Sequence, residues 1–174
     1  MMSGVQPGRR IVQGDLVGTA VFSASAVAGS LSDAWQTGSI VVSLVLFALG
    51  IFAFIWSYFS AVERSRNDEI GVANLFLLTG RTAPSTVKRV MSGALGVQVV
   101  VAIGAAAAGF RELGPDELNP MAFGILVPMF GVGLNGLWAS RHGSFGPRIV
   151  KASPQPPEDV TPPDHEMEQN APHG

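Results

Sequence analysis

At 174 residues the chain has room for one compact unit, which excludes a pair of large domains. It is 47% hydrophobic and only 14% charged, against about 25% in ordinary soluble domains, and it holds no cysteine, so disulfides, thiolate catalysis and Cys-ligated metals are excluded. The formal net charge of −2 conceals a split: residues 152–174 carry five acids and no Lys or Arg, while the rest carries 11 basic and 8 acidic groups.

The first apolar stretch, Leu16–Leu31, lies between Asp15 and Asp33 and is diluted by Thr19, Ser23, Ser25 and Ser30. By length alone it fits a span or a re-entrant segment; with Arg9 and Arg10 ahead and Ser23-Ala24-Ser25-Ala26 within, it also imitates a cleavable signal. The second stretch is unambiguous. Between Asp33 and Glu63 run 29 residues without a charge, and roughly 20 apolar residues in a helix already cover the hydrocarbon core of a bilayer.

Residues 63–80 then open with interleaved charges (Glu63, Arg64, Arg66, Asp68, Glu69) and continue through Ile70–Leu78 to Gly80, a helix stop. So short an apolar run cannot cross a bilayer; a short helix in the inner interface or packed beneath the bundle is expected. Its charges either pair locally, which contributes little at an exposed surface, or form a docking surface for anionic lipid or a partner protein.

Ala83-Pro84 starts the third span, about 88–110. Gly104–Gly109 has the end spacing of a phosphate loop but continues Phe-Arg. Gly104 with Ala108 instead forms a small-x-x-x-small pair suited to close helix packing, within the chain or against a second copy. The loop that follows holds Glu112, Asp116 and Glu117, too short a turn for an acid–base site.

Asn119-Pro120 starts the last span, Asn as the N-cap and Pro at the first helical position. Gly131-Val132-Gly133-Leu134-Asn135-Gly136 spells G-x-G-x-x-G, but it falls inside an apolar helix rather than after a strand, so close packing explains it better than a dinucleotide. Pro128 is expected to kink this helix. Gln98 and Asn135 are the amide side chains of the three clear spans, and each needs an interhelical hydrogen bond. Inside their apolar stretches, residues 39–60, 90–110 and 121–139, those three spans hold no Asp, Glu, Lys, Arg or His, which weighs against a pump. Trp56, Tyr58 and Trp138 sit where interfacial aromatic belts form.

From Gly143 onward seven prolines fall in 32 residues, a composition that cannot bury enough surface to order itself. Pro154–Pro157 matches P-x-x-P, a compositional pattern typical of a solvated linker.

Charge arbitrates topology. Arg64, Arg66, Arg81, Lys88 and Arg89 lie between spans two and three, and Arg141, Arg148 and Lys151 follow the last. Lys and Arg collect on the cytoplasmic side, so counting residues 14–32 as a span puts Arg9 and Arg10 inside and the Ser32–Gly38 turn outside, and every loop obeys the rule.

The expected fold is therefore all-α: a transmembrane helical bundle over residues 1–142, with spans at about 14–32, 39–60, 88–110 and 120–140, a short interfacial helix, and a disordered, Pro-rich acidic tail over 143–174. Glu63-Arg64-Ser65-Arg66 through Asp68-Glu69-Ile70-Gly71-Val72, and Gly136-Leu137-Trp138-Ala139-Ser140-Arg141-His142-Gly143, resemble segments of small uncharacterised integral membrane proteins of actinobacteria. The resemblance spans roughly residues 10–148 and implies location and topology only.

The expected role is a non-catalytic accessory or scaffold component of the plasma membrane with both termini cytoplasmic, the alternative being a small transporter or channel subunit. No enzyme activity, cofactor, metal or nucleic-acid partner is expected. Expected partners are the bilayer, anionic lipid at the cytoplasmic face, and a second copy or larger membrane complex. Packing or docking is assigned to Glu63, Arg64, Arg66, Asp68, Glu69, Gln98, Gly104, Ala108, Gly131 and Asn135.

Overall fold

The computed structural model describes residues 8–66, 68–112 and 119–147. In chain order the elements are α1 (Arg9–Leu31), α2 (Asp33–Arg64), β1 (Asp68–Glu69), α3 (Val72–Phe76), α4 (Ser85–Glu112), a 3₁₀ helix (Pro120–Leu126), α5 (Pro128–His142) and β2 (Gly146–Pro147). Four helical segments are long and apolar enough to cross a membrane: Arg9–Leu31, Asp33–Arg64, Ser85–Phe110 and Met121–His142. The chain is thus a multi-pass membrane protein, and the stretch diluted by hydroxyls is the first of its four spans. Its serines and threonine cost little there, because Thr19, Ser23, Ser25 and Ser30 each bond a carbonyl three or four residues back in their own helix.

The spans run alternately up and down. Gly8 lies against Trp138 and His142, Arg64 reaches the Ser140 carbonyl at 3.3 Å, and the Ser144 amide donates to the Thr82 carbonyl at 3.0 Å. These contacts bring the start of α1, the end of α2, the approach to α4 and the end of α5 to one end of the bundle. Arg9, Arg10, Arg64, Arg66, Arg81, Lys88, Arg89 and Arg141 therefore share that end.

Two apolar clusters form the core. Phe22, Leu46, Ala102, Val127 and Phe130 pack in the bundle interior, while Leu75, Phe76, Leu78, Met91 and Trp138 close its basic end. The closest helix pair is α2 with α5. A Cβ at Gly50 would stand 2.5 Å from the Phe130 nitrogen, and one at Gly133 would collide with the Gly50 carbonyl. Glycine at both crossing points lets the two backbones touch.

The structure departs from expectation at five places. The expected Ser32–Gly38 turn shrinks to one extended residue, Ser32, because α2 already begins at Asp33; the carboxylate there favours a helix N-terminus and accepts from Gln36 at 2.8 Å. The short helix takes one of its two expected positions, packed beneath the bundle with Leu75 and Phe76 buried, but it is only five residues long and ends before the expected stop at Gly80. Its chain reverses at Leu78 and Gly80, both left-handed, several residues after the helix has stopped.

Pro128 does not kink a continuous helix: the span is broken there into a 3₁₀ segment and a separate α-helix that Pro128 opens. At about 2.0 Å per residue, seven 3₁₀ residues reach roughly 14 Å where an α-helix would reach about 10 Å. Trp138 is 1% exposed and belongs to the core, not to an interfacial belt, whereas Trp56 and Tyr58 are half exposed. The fold also continues past His142, with Gly146–Pro147 pairing antiparallel to Asp68–Glu69. The rest of the expected tail, residues 148–174, and Asp116 and Glu117 lie outside the described residues.

Candidate functional site

The polar centre of the bundle joins α1, α4 and the break in the last span. Asp15 sits a turn and a half into α1 with its side chain fully buried. Thr19, one turn on, donates its hydroxyl to the Asp15 carbonyl at 2.8 Å. From the middle of α4, Gln98 donates Nε2 to Thr19 Oγ1 at 2.8 Å and to Asp15 Oδ1 at 3.3 Å. Its other end, Oε1, accepts from the Gly131 amide at 3.2 Å.

The last bond explains why an amide is needed. A helix beginning at Pro128 leaves its first-turn N–H groups without carbonyl partners, and at Phe130 and Gly131, both buried, they must be answered from within the protein. Phe130 finds the Val127 carbonyl at 2.8 Å, and Gly131 finds Gln98. A Cβ at Gly131 would stand 2.7 Å from Gln98 Oε1, so glycine makes room for this cap. The N-terminal end of α5, with its partial positive charge, thus faces the Gln98–Thr19–Asp15 chain. One atom is left over: Asp15 Oδ2 is buried and has no hydrogen-bond partner among the described residues.

Asn135 stands elsewhere, two turns along α5. Its Nδ2 donates to the Phe76 carbonyl at 3.1 Å, which hangs α3 on α5, while its Oδ1 is buried with no hydrogen-bond partner among the described residues. The structure does not bring Gln98 and Asn135 into one site.

The charged segment divides as well. Arg64 binds Asp68 at 2.7 Å, the Ser140 carbonyl, and the Phe145 ring with its guanidinium 5.2 Å from the centroid. Arg64 and Asp68 form an internal strap across the basic end, whereas Glu63, Arg66 and Glu69 are exposed. Gly104 faces outward with nothing near its Cβ position, and Ala108 is half-buried.

Asp15 is the residue that sequence reading passed over, since it served there as the flank of the first apolar stretch. The signal was present: Arg9 and Arg10 mark the membrane edge six and five residues earlier, and Gln98 required a polar partner of the kind Asp15 and Thr19 offer. No group of three or more His, Cys, Asp or Glu side chains fit to hold a metal occurs among the described residues. No protein-family model, curated protein or solved structure matches this chain.

Proposed function

We propose that the protein is a non-catalytic accessory or scaffold component of the plasma membrane, packing against a second copy of itself or a larger membrane complex. The observation that carries this reading is the outward side of α4. Gly93, Gly96 and Gly104 have nothing within 4 Å of where a Cβ would stand, and Val97 and Val100 between them are exposed. Glycine inside a helix costs roughly 0.5–1 kcal/mol relative to alanine, and the chain's own packing makes no use of these three. A helix from another molecule would, because small residues let transmembrane backbones approach closely.

The gathering of Lys and Arg at one end supports a cytoplasmic assignment for that end and for both termini. Exposed Arg66, beside Glu63 and Glu69, adds a contact point for anionic lipid or a partner. The resemblance of the Glu63–Val72 and Gly136–Gly143 segments to actinobacterial membrane proteins accords with this placement.

Because the chain lacks cysteine, Val100→Cys introduces a single thiol. Oxidation in native membranes should trap a covalent dimer or a larger adduct through Val100→Cys and none through Val45→Cys on α2. A chain that gives no adduct and purifies alone in mild detergent would remove the scaffold reading.

A small transporter or channel subunit is the second reading, favoured by the unpartnered Asp15 oxygen at a broken span. Intramembrane carboxylates mark ion and proton paths, and discontinuous helices build such sites. Cation flux into proteoliposomes holding this chain alone, lost in Asp15→Asn, would establish it over the scaffold.

A further inference from the structure

We propose that the groove between α1, α2 and α5 is a binding site for one anionic phospholipid, its acyl chain lying along the helices and its phosphate meeting Arg10. The groove has a volume of about 520 Å³ and is lined by Arg10, Gly14 and Gly18 of α1, Phe52 of α2, and Phe130 and Leu137 of α5, among others. Apart from Arg10, every lining residue is aliphatic, aromatic or glycine. In a bilayer such a surface takes hydrocarbon.

Its shape follows from the two glycines. A Cβ at Gly18 would collide with the Phe130 ring, so that ring floors the groove, while a Cβ at Gly14 would meet nothing within 4 Å. Arg10 and Val21 mark the extent of the lining along α1, which at 1.5 Å per residue is about 16 Å. A helix of that length and about 10 Å diameter would occupy on the order of 1,300 Å³, far more than the groove offers. A single extended hydrocarbon chain fits the slot better.

Arg10 supplies the polarity. It stands at the basic end of the bundle, exposed, with no ion pair to an acidic side chain among the described residues. Basic residues between transmembrane helices at headgroup depth hold anionic headgroups, so the guanidinium has the charge and position for a phosphate whose tail runs down the groove. This site is separate from the outward face of α4, and the two inferences stand or fall independently.

The test is native mass spectrometry of the purified full chain, titrated with dioleoyl-phosphatidylglycerol or dioleoyl-phosphatidylcholine. The wild type should retain one lipid per chain and prefer the anionic one by about fivefold, the factor equivalent to about 1 kcal/mol per basic residue at a membrane surface. Arg10→Gln should abolish the preference and keep the phosphatidylcholine affinity. Gly14→Leu, which fills open space without touching the core, should lose both lipids at unchanged helicity, and Val27→Leu, lipid-facing but outside the groove, should behave as wild type. Equal retention of the two lipids by wild type, or undiminished retention by Gly14→Leu, would overturn the proposal. So would oxidation of Val17→Cys to a dimer, which would place a second copy in the groove.

Discussion

Gln98 is a bridge with both ends occupied, and that makes it the residue whose loss is easiest to forecast. Gln98→Leu leaves the Gly131 amide, Thr19 and the Asp15 carboxylate without their partner in a site that excludes water. An orphaned buried polar group costs about 1–3 kcal/mol, so this variant should unfold at visibly lower temperature or denaturant in detergent. The cost has a second component that a cycle isolates. Asp15→Leu added to Gln98→Leu should destabilise by less than the two single changes together, with a coupling of about 0.6 and at most about 1.7 kcal/mol. Full additivity would show that the 3.3 Å contact carries no energy.

At the level of elements, glycine has opposite meanings on α5 and α4. Gly133 presses on the Gly50 carbonyl where α5 crosses α2, so Gly133→Leu should force the helices apart at a cost of about 1–3 kcal/mol or more. Gly93 has open space above it, so Gly93→Ala should raise stability by up to about 1 kcal/mol through helix propensity alone. Thermal unfolding of the two variants in one detergent checks both signs. The short α3 is held differently, by the Phe76 ring stacked on Phe54 at a centroid distance of 4.3 Å and by Asn135 on its carbonyl. Phe76→Ala should cost about 3–5 kcal/mol and expose residues 77–83 to protease before the spans unfold.

For the whole molecule, the eight described basic side chains at one end set the expected orientation. A phosphatase reporter fused after Gln36 should be active outside the cell, and one fused after Lys151 should be silent. The reverse pattern would invert the bundle while leaving its packing intact. Much of this was legible beforehand. Four spans, the Asn119 cap with its 2.9 Å bond from the Met121 amide, and an apolar segment at residues 70–78 too short to cross all follow from local pattern, while the place of that segment beneath the bundle does not. The role of Pro128 was legible only as an interruption, because whether proline bends a helix or begins a new one depends on who satisfies the amides beyond it. Trp138 was misplaced because nearness in sequence to a span end says nothing of which way the ring faces.

What the amino-acid order determined by itself was the solvent and the number of crossings, since uncharged length and flanking basic residues are additive, local quantities. What tertiary structure alone decided was which polar groups meet: Asp15 with Gln98, Gln98 with the amide of Gly131, Asn135 with the carbonyl of Phe76. Those pairings are separated by 33 to 83 residues in the chain. They arise because a bilayer interior offers unsatisfied groups no water, so each must be answered by whichever helix packing brings alongside.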